Sequence, residues 1–303
     1  MNRSRYSLFL LSLTACGCLG AAGLRTYILR HCFEASGLLL RGSHALLGLM
    51  IFSTVWVLVT AMLCRRLNAL PGTDDCFSEG VGWRCFGLAA LLLVLAGSIL
   101  ALNGRAKDGS SFTTILVLGG LLSAACLAGV ACARRRLGEN GFWLSLLPVI
   151  FALSRLIYYF RGWSRDPMVI DFAPHLMASI SGVLALFFLT GYPLKVGRRR
   201  STVFWSLCCA VFTAMMIPDA ILRPQQTPLS ALLVWLGLCL WCLCGAGQIL
   251  RECVQSETAP EPAEEIPSED GAEPAPEPVE EEPSGDDAET APSRNSAQTE
   301  QTD

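Results

Sequence analysis

Eight apolar runs, each long enough to cross a bilayer, dominate the first 250 residues of this chain of 303. They are Ser7–Leu24, His44–Cys64, Phe86–Asn103, Thr113–Ala133, Phe142–Phe160, Asp171–Tyr192, Thr202–Leu222 and Leu229–Leu250. A hydrocarbon core of about 30 Å takes about 20 helical residues at a rise of about 1.5 Å each. Lipid offers no partner to backbone N–H and C=O groups, so each run is predicted to be a helix. The fold class expected is all-α: a polytopic transmembrane helix bundle of about eight spans. The fifth run carries Arg155, and the sixth opens on Asp171.

From Arg251 the composition inverts. Residues 1–250 hold 21 Lys and Arg against 9 Asp and Glu, a net charge of +12. Residues 251–303 hold 2 Arg against 17 acids, a net charge of −15, and 8 of the chain's 16 prolines. Low hydrophobicity with high net charge leaves nothing to bury, so 251–303 is expected to be a disordered acidic tail after a bundle formed by 1–250. An anionic leaflet would repel the tail into the cytoplasm. There it could remain simply solvated, or contact a basic protein partner or the chain's own basic inner loops.

Lys and Arg in short loops set orientation. With the N-terminus inside, inner segments carry 13 basic residues and outer segments 8. Arg65-Arg66, Arg134–Arg136 and Arg198–Arg200 all follow even-numbered spans. Both termini are therefore expected in the cytoplasm, in a multi-pass protein of the cell inner (plasma) membrane. The first span has a second reading. Arg3 and Arg5 precede an apolar stretch and Leu13-Thr14-Ala15-Cys16-Gly17, which resembles a bacterial lipoprotein processing signal with Cys16 as the lipidated residue. The apolar stretch continues past Cys16 to Leu24, which instead favours a retained span.

Most of the 14 cysteines fall inside spans, where a free thiol packs as a small apolar group. Cys239, Cys242 and Cys244 lack a second Cys pair or His in sequence to complete a metal site. In the fourth run Gly120, Ala124, Ala128 and Cys132 recur at spacing four, a pattern that lets helices approach closely. It marks a seam within the bundle, with a dimer interface as the other possibility; the oligomeric state stays open. The triplets Arg134–Arg136 and Arg198–Arg200 are each followed by a Phe-Trp pair, Phe142-Trp143 and Phe204-Trp205. Either an internal duplication or interface preference produces that pattern.

Ionisable residues within spans cost roughly 2.5–3.5 kcal/mol at mid-bilayer, so they are the first places to look for chemistry. Four share one depth on the outer side: Arg155, Asp171, His175 and Asp219. Together they are the candidate binding cluster, with Arg155 expected to pair with Asp171 or Asp219. Each also has a structural role open to it. Arg155 can snorkel, Asp171 can cap a helix with Pro174 in its first turn, and Asp219 follows the helix breaker Pro218. No Gly-x-Ser-x-Gly, His-Glu-x-x-His, Walker or dinucleotide-binding pattern occurs, and His31, His44 and His175 have no metal spacing. The sequence thus implies no catalytic residue, cofactor or metal, and its short basic loops need no nucleic acid to explain them.

The segments Phe160-Arg161-Gly162-Trp163-Ser164-Arg165-Asp166-Pro167 and Phe33-Glu34-Ala35-Ser36-Gly37-Leu38-Leu39 resemble a pattern in a group of uncharacterised bacterial multi-span membrane proteins. The resemblance spans residues 20–250 and implies a bacterial inner-membrane address with no known activity. The leading expectation is a non-enzymatic membrane protein acting in assembly or interaction, with the tail as contact. The alternative is a small-solute transporter using the outer Arg/Asp/His cluster, and the third reading is a membrane-embedded enzyme.

Overall fold

Each apolar run forms a helix in the computed structural model, which describes residues 3–33, 44–67, 71–72, 77, 81–108, 111–138, 140–164, 172–224 and 227–255. The helices are α1 (Arg3–His31), α2 (Ala45–Cys64), α3 (Val81–Asp108), α4 (Ser111–Leu137), α5 (Asn140–Trp163), α6 (Ala173–Thr190), α7 (Arg199–Leu222) and α8 (Leu229–Gln255). All eight are long and apolar enough to cross a membrane, which gives the chain a multi-pass membrane architecture. Asp171 and residues 256–303 lie outside the described residues.

Several helices outrun their apolar cores. α1 continues past Leu24 to His31, so Arg25 is helical and buried instead of lying in a loop. α8 passes Arg251 by one turn before the first proline of the tail, Pro260. α6 starts at Ala173 with Pro174 in its first turn, where a missing N–H costs no helical bond. α7 carries Pro218 inside the helix and continues to Leu222, so Asp219 sits within the last turn and not beyond a break.

Consecutive helices from α3 to α8 pack side by side, and contact between α3 and α8 closes the ring. α1 and α2 lie on the outside of α7. Burial follows this arrangement: 78% of the α7 span is buried inside the protein, against 17% for α2. Contacts at both ends show strict up-down alternation. The start of α1 meets the end of α2 through Tyr6 Oη, which donates to Leu63 O at 2.6 Å. The end of α1 meets the end of α7 through Arg25 and Asp219.

Two glycines set the closing contact. A Cβ on Gly97 of α3 would lie 2.7 Å from both Ser230 O and Val234 Cγ2 of α8. A Cβ on Gly237 of α8 would lie 2.7 Å from Ala90 O and 2.8 Å from Val94 Cγ2 of α3. The antiparallel pair thus crosses with backbones nearly touching, which permits Cα–H···O contacts. The expected seam on α4 is partly internal: Gly120 and Ala124 are buried, with Gly120 against Ser98 and Phe151, whereas Ala128 is half-buried and Cys132 exposed.

At the end where α2 and α6 finish and α7 begins, a two-residue antiparallel ladder joins β1 (Pro71–Gly72) to β2 (Gly197–Arg198). Arg200 Nε donates to Leu67 O beside it. Tyr192, fully buried, stacks edge-on against Phe77 at 5.2 Å and donates to Thr202 Oγ1 at 3.3 Å.

Candidate functional site

The opposite end of the bundle holds a buried polar network. Arg25 projects from α1, Asp219 from α7 and His175 from α6, with exposures of only 2%, 3% and 4%. Arg25 grips the carboxylate with two nitrogens: Nη2 is 2.9 Å and Nε 3.0 Å from Oδ1, and Nε is 3.3 Å from Oδ2. His175 Nε2 lies 3.0 Å from Asp219 Oδ2. Thr227, in the α7–α8 connection, places Oγ1 3.2 Å from the same Nε2. A forked guanidinium–carboxylate pair of this kind is strong and directional. It joins three helices and a turn at one point.

A hydroxyl, an imidazole and a carboxylate in contact invite comparison with a hydrolytic triad. The geometry is different. A triad uses both ring nitrogens, one towards the nucleophile and one towards the acid. Here Asp219 and Thr227 share Nε2. A proton taken from Thr227 at that nitrogen has no second face on which Asp219 could orient the ring. The arrangement is therefore not that of a triad.

Arg155 belongs to a second, separate site. It lies on α5 and is 4% exposed, eight residues before the end of the helix at Trp163. Its Nη2 donates to Tyr159 Oη at 3.1 Å, one turn further on. Its Cζ is 5.3 Å from the Tyr159 ring centroid and 5.9 Å from that of Phe151, one turn before. Residues 151, 155 and 159 share a helix face, so two rings flank the guanidinium. Nε is buried, with no hydrogen-bond partner among the described residues. Arg155 lines a cavity of about 320 Å³ with Ser98, Thr113, Tyr158, Tyr159 and Ser230.

The candidate cluster therefore divides. His175 and Asp219 meet directly. Arg155 bonds Tyr159, while Asp219 takes Arg25 as its guanidinium partner. Asp171 lies outside the described residues. Two members of the network, Arg25 and Thr227, lie outside the four residues expected to cluster. Arg25 had a visible signal: Tyr27, Ile28 and Leu29 continue the apolar pattern beyond it. Cys16 is an exposed residue inside α1. Among the described residues, no group of three or more His, Cys, Asp or Glu side chains is placed to hold a metal ion.

No family model matches the chain, and no curated protein or solved structure is similar enough to count as a match.

Proposed function

We propose that the chain is a non-enzymatic, multi-pass protein of the cell inner (plasma) membrane, with both termini in the cytoplasm, that acts in membrane assembly or interaction through its acidic tail. The observation that carries this reading is the basic character of one end of the bundle. Arg65, Arg66, Lys195, Arg198 and Arg200 are exposed there, on connections tied by the β1–β2 ladder and by the Arg200–Leu67 bond. Short connections rich in Arg are what positive-inside orientation places on the cytoplasmic side. By the up-down alternation, α8 also finishes at that end and leads into the segment of charge −15. A tail so charged suits a basic partner, with the bundle's own basic loops as the competing contact.

The test compares the full chain with one ending at Gln255, which keeps all eight helices. A photo-crosslinking residue at Val279 of the full chain should capture a basic protein or the Arg198–Arg200 segment. Capture should fall at about 1 M salt, where the Debye length is about 3 Å. Complexes extracted from cells should be smaller for the shortened chain by more than the mass of the tail. Unchanged complexes, or crosslinks insensitive to salt and to neutralising the tail acids, would defeat the proposal.

A further inference from the structure

Arg25 and Arg155 are both buried guanidinium groups near one end of the bundle, yet their surroundings differ. Arg25 has Asp219. Arg155 has a tyrosine hydroxyl and two aromatic rings, and no carboxylate among the described residues is bonded to it. Holding such a group inside a span without a counter-charge is expensive. Among the described residues nothing accepts from its buried Nε–H, and the group lines a cavity of about 320 Å³. Pockets for small molecules begin near that size, roughly 300 Å³.

We infer that this cavity binds one oxyanion, a carboxylate or phosphate carried on a short apolar body. The Tyr159 hydroxyl takes one N–H of Nη2 and fixes the plane of the fork. The guanidinium, which lines the cavity, is left to pair with the oxyanion. Thr113 and Ser230 bring hydroxyls to the same cavity that can donate as well. Ser98 does not compete for the role, because its Oγ already donates to Val94 O at 2.8 Å. Leu116, Val117 and Leu229 supply apolar wall for the body of the ligand. The site excludes His175 and Asp219, whose mutual bond and pairing with Arg25 occupy them elsewhere. It stands independently of the tail.

The same chemistry is offered by the phosphate of an anionic lipid and by a free amphiphilic anion. The full chain is reconstituted in phosphatidylcholine nanodiscs and in phosphatidylglycerol nanodiscs, and octyl phosphate is titrated into the first. Thermal unfolding is followed by tryptophan fluorescence. A rise in Tm in phosphatidylglycerol alone assigns the lipid; a rise with octyl phosphate assigns a free anion. Arg155→Gln should abolish either rise and weaken octyl phosphate binding roughly ten- to a hundredfold, the loss of a charge-assisted hydrogen bond. Tyr159→Phe, which keeps the charge, should weaken it several-fold and guards against a misfolded Arg155 variant. Truncation after Gln255 should change nothing. Without anion, Arg155→Gln should unfold no earlier than wild type, since it removes a charge that no carboxylate among the described residues compensates. An earlier transition would mean that Arg155 is already paired, for instance by Asp166 or Asp171, and would overturn the inference. So would the absence of a Tm rise in both arms, or binding indifferent to Arg155.

Discussion

Arg25 and Asp219, 194 residues apart in sequence, form a forked ion pair in which both guanidinium nitrogens Nε and Nη2 reach Oδ1 within 3.0 Å. Each side chain is almost fully withdrawn from the surface. Breaking a buried pair by deleting one partner is worse than deleting both, because the survivor stays charged and desolvated. Arg25→Met and Asp219→Leu should each cost roughly 3–5 kcal/mol of stability. The double variant should recover most of that loss, but not all, because His175 loses its acceptor. Thermal unfolding of the three variants in detergent reads the coupling directly. Additive losses would show that the pair contributes nothing as a unit.

His175 extends the lock from helices to a turn. Its Nε2 serves Asp219 at 3.0 Å and Thr227 at 3.2 Å. Thr227→Val keeps the shape and removes one hydrogen bond, so it should cost roughly 0.5–1.5 kcal/mol. His175→Leu leaves the Asp219 oxygen with one partner fewer and should cost more, roughly 1–3 kcal/mol. Protease sensitivity of the α7–α8 connection should rise in both variants while the rest of the bundle stays resistant. Equal sensitivity to wild type would separate the turn from the network.

The eight helices were legible because hydrophobic length is a property of each segment alone. The partners were not. Arg25 follows Leu24, and its insertion cost of roughly 2.5–3.5 kcal/mol reads as the end of a span unless a counter-charge is known. That counter-charge sits on α7, and nothing in a single sequence says that α1 packs on α7. Similarly, depth alone grouped Arg155, His175 and Asp219 without saying that His175 and Asp219 are the two in contact. It could not say that Arg155, at similar depth, faces a cavity with Tyr159 instead. Gly97 and Gly237 carried no repeat that marked them, because their importance arises from an α3–α8 contact between segments far apart in the chain.

Orientation has its own consequence. If the helix ends that carry Arg65, Arg134–Arg136 and Arg198–Arg200 face the cytoplasm, the α3–α4 connection faces out and the α4–α5 connection faces in. A periplasm-active reporter fused after Asp108 should be active, and one fused after Glu139 silent. A cytoplasm-active reporter should give the reverse. The opposite pattern would move the Arg25–Asp219 network and the Arg155 cavity to the cytoplasmic side and the tail to the outside.

The reciprocal glycines of the α3–α8 crossing predict a particular failure of additivity. Gly97→Ala puts a methyl 2.7 Å from Ser230 O, and Gly237→Ala puts one 2.7 Å from Ala90 O. Neither neighbour can yield by rotating a side chain, because both are backbone oxygens. The helices must move apart, and overpacking of this kind costs roughly 1–3 kcal/mol. Once they have separated for one methyl, the second meets less resistance. The double variant should therefore be less destabilised than the sum of the singles, as expected for coupled neighbours. Gly23 offers a control, since a Cβ there meets nothing within 4 Å. Gly23→Ala should be neutral or slightly stabilising, because alanine is favoured over glycine within a helix by up to about 1 kcal/mol. Thermal unfolding of the four variants in one detergent settles the matter. A full loss at Gly23, or strict additivity at Gly97 and Gly237, would show that backbone proximity does not govern the α3–α8 seam.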